Sequence, residues 1–119
     1  MLITFTGRKS GRRFTTPVRY IRDGETVRCF TSAENQWWRN LRGGVDVVLR
    51  IQGRDAPYHA KALENDPEEV KKWLRYYLGL FPQDAAYHDM RLNRDKSLVS
   101  EDLEKASRSA ILVEAKPIR

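Results

Sequence analysis

The residues best suited to chemistry in this chain lie between positions 7 and 17, where cations, glycines and hydroxyl side chains are concentrated. The polar members are Arg8, Lys9, Ser10, Arg12, Arg13, Thr15 and Thr16, with glycines at 7 and 11. Glycine lets backbone N–H groups approach an anion, and arginine presents a planar fork of donors that matches phosphate or carboxylate oxygens. The spacing is not that of a P-loop. The stretch therefore predicts an anion-binding site, with a solvated basic turn between two strands as the alternative.

The excess positive charge of the chain is confined to its first 22 residues. These contain six Lys or Arg and no Asp or Glu, whereas the rest of the chain contains 16 residues of each sign. The whole chain has a net charge of +6 and a pI near 9.7. Such a balance favours a polyanionic partner: nucleic acid, a membrane surface or a phosphorylated small molecule.

Length and composition predict one soluble domain that spans residues 1–119. No apolar run reaches the ~18 residues of a transmembrane helix, and the N-terminus lacks a signal-peptide pattern. Cys29 is the only cysteine, so no internal disulfide forms, and it has no metal-ligand spacing with His59 or His88. We therefore expect a cytoplasmic protein without a metal site.

A second cluster, Trp37-Trp38-Arg39-Asn40-Leu41, lies in a predicted short helix over residues 36–42. Adjacent residues of a helix point about 100° apart. One tryptophan is therefore expected to face the core and the other to line a groove, where it can stack on a flat ligand. Asn40 is expected to bond either a strand backbone or the polar edge of a ligand.

Tyrosines on or after a later helix are the candidates for acid–base or orienting roles. Tyrosine hydroxyls can orient a carbonyl or nitro oxygen, or give up a proton. We name Tyr76 and Tyr87 as the candidate catalytic residues, with Tyr77 and His88 beside them. The chain shows no Ser-His-Asp arrangement and no carboxylate pair with a catalytic spacing. An anion site with aromatic walls and no evident nucleophile suits a bound organic cofactor that supplies the chemistry itself.

The periodicity of the remaining chain predicts an α+β fold. Strands are expected over residues 2–6, 14–22, 25–31, 45–52, 55–64 and 110–115, with a hairpin at Asp23-Gly24 and an edge position for the strand that contains Pro17. One helix is expected from the acidic cap Asp66, with Gly79 and Pro82 as its stop signals, and another from a cap at Ser100 to about Ser107. Asn35 is the expected cap of the short tryptophan helix. Six mostly antiparallel strands with two or three inserted helices predict a small barrel.

Two motifs of the first half of the chain resemble the deazaflavin-dependent nitroreductase family. They are Thr6–Arg12 followed by Thr15–Pro17, and Trp37–Arg42, with the hairpin over residues 20–24 between them. The resemblance covers about residues 2–62. It implies a split β-barrel related to flavin-binding pyridoxamine-phosphate oxidases. It also implies a reduced deazaflavin, coenzyme F-420, as the cofactor, and hydride transfer to nitro compounds, quinones or similar acceptors.

The resemblance also implies which residues bind the cofactor. Coenzyme F-420 has a phosphate and a polyglutamate tail, which supplies an anionic partner for the basic stretch. Arg8, Lys9, Ser10 and Gly11 would hold the phosphate region. The ring and the pocket wall would be lined by Thr16, Pro17, Ser32, Trp37 and Asn40.

One departure from the family motif concerns Phe14, which stands where members often have arginine; Arg13 is the candidate for that role. An FMN-dependent split-barrel reductase or oxidase is therefore the alternative within the fold. A nucleic-acid-binding barrel is the alternative from another class, because the N-terminal third is basic and contains aromatic residues. A homodimer is a further expectation, since related flavin-binding barrels are commonly dimers.

Overall fold

The computed structural model describes residues 1–64, 66–88, 90–95 and 97–118, with only the backbone of Tyr87. In these residues seven strands form one sheet: β1 Leu2–Thr6, β2 Arg13–Pro17, β3 Tyr20–Asp23, β4 Thr26–Ser32, β5 Val45–Ile51, β6 Arg54–Leu63 and β7 Ala110–Pro117. Two α-helices, α1 Pro67–Leu80 and α2 Ser100–Ser109, and two 3-10 helices, Trp37–Leu41 and Pro82–His88, complete the described elements. The α+β prediction is confirmed.

The sheet has the strand order β2-β1-β5-β6-β7-β4-β3, and every pair is antiparallel. The strands β2 and β3 lie at opposite edges although only Val18 and Arg19 separate them in the chain. Two residues span a short distance. The sheet must therefore curl until its two edges approach each other, which gives it the form of a barrel.

The number of strands corrects the sequence prediction, because the single strand expected over residues 14–22 is two strands. The last pair of the β1–β2 ladder is Leu2 with Pro17, and the proline needs no N–H there because the flanking hydrogen bonds join Met1 and Val18. The next N–H, that of Val18, donates to the Met1 carbonyl at 2.9 Å. The chain then crosses to the other edge, where β3 pairs with β4. The edge position expected from Pro17 is confirmed.

The curled sheet has a hydrophobic core on each of its two faces. The barrel interior holds residues such as Ile3, Val27 and Leu49, together with Cys29, which is 2% exposed. The other face of β3, β4 and β7 packs against the helices through Ile21, Phe30, Leu74, Leu78, Leu103 and Leu112. Since β4 and β7 contribute to both cores, they connect the barrel to its helical cover.

The helix boundaries follow the predicted signals in part. The Asp66 carboxylate accepts a hydrogen bond from the Glu69 N–H at 3.2 Å, as expected of the cap. The helix α1 ends at Leu80, between the expected stop signals Gly79 and Pro82. Ser100 is the first residue of α2 and not its cap, since Val99 precedes the helix without a side-chain cap. Asn35 was expected to cap the tryptophan helix, but its amide donates to Thr31 Oγ1 at 2.7 Å, and Gln36 precedes the helix without a side-chain cap. No helix in the described residues is long and apolar enough to span a membrane.

Candidate active site

The basic turn, residues 7–12, joins β1 to β2 and is held by its own hydrogen bonds. The Gly7 N–H donates to the Arg12 carbonyl at 2.7 Å, and the Gly11 N–H donates to the Gly7 carbonyl at 2.9 Å. Ser10 Oγ accepts from the Arg12 N–H at 3.2 Å. Gly11 has φ of +70°, a conformation that other residues seldom adopt. The backbone of the turn therefore has a defined conformation, from which its cationic side chains extend.

Asn40 connects the basic turn to the first 3-10 helix. Its Oδ1 accepts from the Arg8 backbone N–H at 2.9 Å, and its Nδ2 donates to the Trp37 carbonyl at 2.9 Å. Because Arg8 and Asn40 are 32 positions apart, the sequence did not show which group Asn40 bonds. The bond fixes the distance between the cations of the turn and the tryptophan helix.

The turn cavity lies against the basic turn and measures about 570 Å³. Its lining residues are Phe5, Gly7, Arg8, Lys9, Ser10, Phe14, Thr15, Thr16, Gln36, Trp37 and Asn40. The rings of Phe14 and Phe5 are stacked with centroids 5.9 Å apart, and Phe5 lies 5.9 Å from Trp37. A Cβ at Gly7 would come within 2.6 Å of Phe14 Cε2, so only glycine permits this close approach. The cavity combines an aromatic wall with a cationic rim.

The helix cavity adjoins the turn cavity and measures about 400 Å³. Both cavities are lined by Thr16 and Trp37, so they are neighbours, and we refer to the two cavities together as the groove. The other residues of the helix cavity are Pro17, Val18, Arg19, Phe30, Thr31, Asn35, Tyr77, Asp84 and His88. The groove thus runs from the basic turn to the contact between the barrel and the helices.

A polar network lies in the helix cavity. The Tyr77 hydroxyl donates to Asp84 Oδ2, and Arg19 Nε is 3.2 Å from the same oxygen. The Arg19 guanidinium carbon lies 4.6 Å from the centre of the Phe81 ring. Burial, and then the hydrogen bond to Asp84, raise the pKa of Tyr77 well above its usual range. Tyr77 is therefore held in its protonated form.

The structure brings most of the predicted cofactor-binding residues to this groove. Arg8, Lys9, Ser10, Thr16, Trp37 and Asn40 line the turn cavity, and Pro17 lines the helix cavity. Gly11, Arg13 and Ser32 line neither cavity. Of the two tryptophans, Trp37 faces the groove and Trp38 is 3% exposed in the barrel core. The roles of all these residues in binding stay predictions.

The tyrosines of the helices lie in different environments. Tyr76 is 49% exposed and contacts Trp73 at a centroid distance of 5.9 Å, away from both cavities, whereas Tyr77 lines the helix cavity. The side chain of Tyr87 lies outside the part of the chain that the structure describes. The catalytic roles predicted for Tyr76 and Tyr87 stay predictions. Sequence reasoning missed Arg19 and Asp84, which no motif or spacing marks and which meet only in the folded chain.

The fold and the groove define a split β-barrel with a cation-rimmed cavity, and comparison with known proteins specifies the family. The model of the F420H(2)-dependent quinone reductase family matches residues 1–99. The chain is a member of this family. The predicted resemblance, the split-barrel fold and coenzyme F-420 as the cofactor of the family are thereby confirmed.

Three individual proteins illustrate the relationship. One relative comes from Mycobacterium tuberculosis (strain ATCC 25618 / H37Rv) and is described as a candidate F420H(2)-dependent quinone reductase. It is 35% identical to this chain over 80 residues. The match covers 63% of this chain and 66% of the relative, just under two thirds of the relative's length. A solved structure described as a domain-swapped dimer matches 97% of this chain and 78% of its own with a TM-score of 0.63 at 20% identity. A solved F420 reductase matches 99% and 85% with a TM-score of 0.50 at 15% identity. The two structures establish the fold.

The donor set of the turn cavity fits an anionic cofactor of this kind. Within the described ranges, no carboxylate forms an ion pair with Arg8 or Lys9 at the rim of the cavity. Gly7 has no side chain between the backbone and the aromatic wall. Across the same part of the chain, no three His, Cys, Asp or Glu side chains cluster as metal ligands do.

Proposed function

We propose that this protein binds reduced coenzyme F-420 in the groove and reduces a small organic acceptor, with quinones as the main class and nitro compounds as a second class. The observation that best supports the proposal is that the two cavities share Thr16 and Trp37 in their linings. The cation-rimmed cavity suits the phosphate end of the cofactor, and the neighbouring cavity has converging polar groups. Family membership supports the same reaction class.

The turn cavity is proposed to hold the anionic part of the cofactor. Arg8 and Lys9 supply charge, and the Ser10 hydroxyl, whose oxygen already accepts from Arg12 N–H, has its proton available to donate. Asn40 keeps the turn at its distance from the tryptophan helix. Since the cations have no carboxylate partners in the described residues, a phosphate displaces no ion pair on binding.

The ring and the acceptor are proposed to lie where the turn cavity meets the helix cavity. When bound, the reduced cofactor supplies a hydride; the protein supplies orientation and a shaped pocket. Trp37 offers a flat surface for stacking, and Phe30 also lines the helix cavity. Orientation of this kind holds the acceptor in position for transfer.

Binding and turnover can be tested separately. The purified protein is titrated with coenzyme F-420, with FMN and with a single-stranded oligonucleotide, and bound ligand is followed by fluorescence. We expect saturation by coenzyme F-420 at about one per chain, followed by oxidation of the reduced form when menadione is added. Saturation by FMN alone would favour the FMN-dependent alternative, and binding of only the oligonucleotide would reject the reductase proposal.

We also propose that the protein forms a homodimer, as its sequence resemblance predicts. The domain-swapped dimer among the structural neighbours is compatible with this state. Sedimentation equilibrium of the full chain measures it directly. A monomer mass across the accessible concentration range would refute the dimer and leave the cofactor proposal unaffected.

A further inference from the structure

Arg19 is the cation of the helix cavity, and its surroundings hold it in one orientation. Its Nε is 3.2 Å from Asp84 Oδ2, and its guanidinium lies over the Phe81 ring at 4.6 Å. The side chain is 47% exposed and lines the cavity. Contacts to Nε and to one face of the plane leave the two terminal nitrogens as donors for a ligand, because guanidinium has five N–H groups in a fixed fork.

Tyr77 is unsuited to donate to a ligand. Its hydroxyl proton is directed at Asp84, and burial together with this contact holds the pKa of Tyr77 above its usual range. The other titratable groups that line the helix cavity are Asp84 itself and His88. Arg19 therefore combines two properties within the lining: its charge is permanent, and some of its N–H donors make no contact with the described residues.

We propose that Arg19 is a catalytic residue that hydrogen-bonds the acceptor's ring oxygen and stabilises the negative charge that develops there, and that Asp84 is the positioning residue that orients it. This inference rests on the proposed function. A quinone that receives a hydride, two electrons and one proton from the reduced cofactor, becomes the hydroquinone monoanion. Its new charge lies on the oxygen facing Arg19, and a proton from water completes the hydroquinone. Donors fixed in advance at the site of developing charge stabilise a transition state most effectively.

The Arg19–Asp84 pair also suits an acceptor that enters without charge. Before reduction the pair is neutral overall, so a quinone carbonyl meets N–H donors without competing with another anion. Once the acceptor becomes anionic, Asp84 repels it weakly, and protonation by water then gives a neutral product that Arg19 no longer holds by charge. Arg19 and Asp84 are therefore expected to have opposite effects on an anionic ligand, which a purely structural ion pair would not produce.

The test uses the full chain without cofactor and a matched pair of probes. The probe 4-nitrophenolate has the charged ring oxygen of a hydroquinone anion, and 4-nitroanisole is its uncharged methyl ether. Binding is measured by absorbance and calorimetry at about pH 9, so that the charged probe is present as the phenolate. The variants are Arg19→Gln, Arg19→Lys and Asp84→Asn, with Arg75→Gln as control, because Arg75 lies on the same helix as Tyr77 and does not line the helix cavity.

We expect Arg19→Gln to weaken phenolate binding about tenfold, as one charge-assisted bond predicts, and Arg19→Lys to weaken it less. Asp84→Asn should tighten it roughly two- to fivefold, because the amide oxygen of the replacement can still accept from Arg19 Nε and keep it oriented while the negative charge is removed. Arg75→Gln should have no effect, and no variant should change binding of the methyl ether. Unchanged binding in Arg19→Gln, equal weakening in Arg19→Gln and Asp84→Asn, or no phenolate binding to the unmodified protein would each overturn the inference. Titration of the same proteins with coenzyme F-420 tests the proposed function independently, since Arg19 is not expected to contact its phosphate.

Discussion

At the scale of single residues, affinity for the cofactor is expected to depend on Arg8 and Lys9. Each is exposed at the rim of the turn cavity without an ion-pair partner in the described chain. A charge-assisted hydrogen bond contributes roughly 1.5–3 kcal/mol, or about 10- to 100-fold in affinity. We expect Arg8→Ala or Lys9→Ala to weaken binding of coenzyme F-420 by that factor in a fluorescence titration, with little change in thermal stability.

The control variant for this prediction is Arg12→Ala, which removes the same charge from the same turn at a residue outside the cavity lining. It should weaken binding much less. A second control is the deazaflavin ring without phosphate and tail, which the unmodified protein and the two variants should bind equally weakly. A tenfold loss on the bare ring would mean that the turn shapes the ring pocket instead.

Asp102 is expected to make folding depend on acidic pH. The Arg91 side chain and backbone N–H donate to its carboxylate, which lowers the pKa from 3.8 to about 2. A carboxyl whose pKa is lower in the folded state stabilises the fold above the unfolded pKa and loses that contribution as pH falls toward the folded pKa. Unfolding measured in denaturant should therefore show a loss of stability between about pH 4 and pH 2 that is smaller in Asp102→Asn.

The matched variant for this experiment is Glu101→Gln, which removes one carboxylate from the same helix without a hydrogen bond to Arg91 among the described contacts. Its stability should fall as steeply between about pH 4 and pH 2 as that of the unmodified protein. Identical acid limbs in Asp102→Asn and the unmodified protein would contradict the assignment of this contribution to Asp102.

At the scale of elements, the first 3-10 helix places its two tryptophans in different environments. Trp38 is buried in the barrel core, whereas Trp37 lines both cavities. We expect Trp37→Phe to remove most of the quenching of tryptophan emission by bound cofactor, while Trp38→Phe retains it. Quenching that survives in Trp37→Phe would place the ring outside the groove.

The free energy of unfolding should depend more on Trp38 than on Trp37, the reverse of their expected effects on quenching. Replacing a large buried aromatic residue by alanine costs about 3–5 kcal/mol through lost burial and the cavity that remains. We expect that loss for Trp38→Ala and a clearly smaller one for the half-buried Trp37→Ala, measured as the free energy of unfolding in urea. Equal losses would mean that both side chains serve mainly as packing.

At the scale of the whole molecule, the two cores are expected to unfold together. Leu112 and Val113 are adjacent in β7, yet the first lies in the helix-side core and the second in the barrel core. A strand that contributes to both cores cannot lose one set of contacts without disturbing the other. We expect a single transition for the predicted domain 1–119, with circular dichroism and tryptophan emission giving the same midpoint.

Substitutions in each core test this coupling. Leu49→Ala in the barrel and Leu74→Ala on α1 remove side chains that are 1% and 0% exposed. Each should lower the free energy of unfolding by about 2–5 kcal/mol and shift both signals together. Separate midpoints in either variant would show that barrel and helices unfold independently.

The sequence alone was sufficient for features that depend on neighbouring residues. The Asp66 cap of α1, the β3–β4 hairpin and the basic turn all arise from interactions within a few positions of the chain, although the hairpin loop is Gly24-Glu25, one residue later than expected. The motifs of the first half also identified the family and therefore the class of cofactor. Such features could be predicted because local backbone preferences and short motifs are present in the sequence itself.

Only the tertiary structure decided what depends on contacts between distant segments. The break after Pro17 became visible once β2 and β3 were seen at opposite edges of the sheet. The bond from Asn40 to Arg8 and the meeting of Arg19 with Asp84 and Tyr77 join positions far apart in the chain. Periodicity in the sequence specifies which face of a strand or helix is buried. Curling of the sheet determines which of these faces come into contact, and the groove forms where they do.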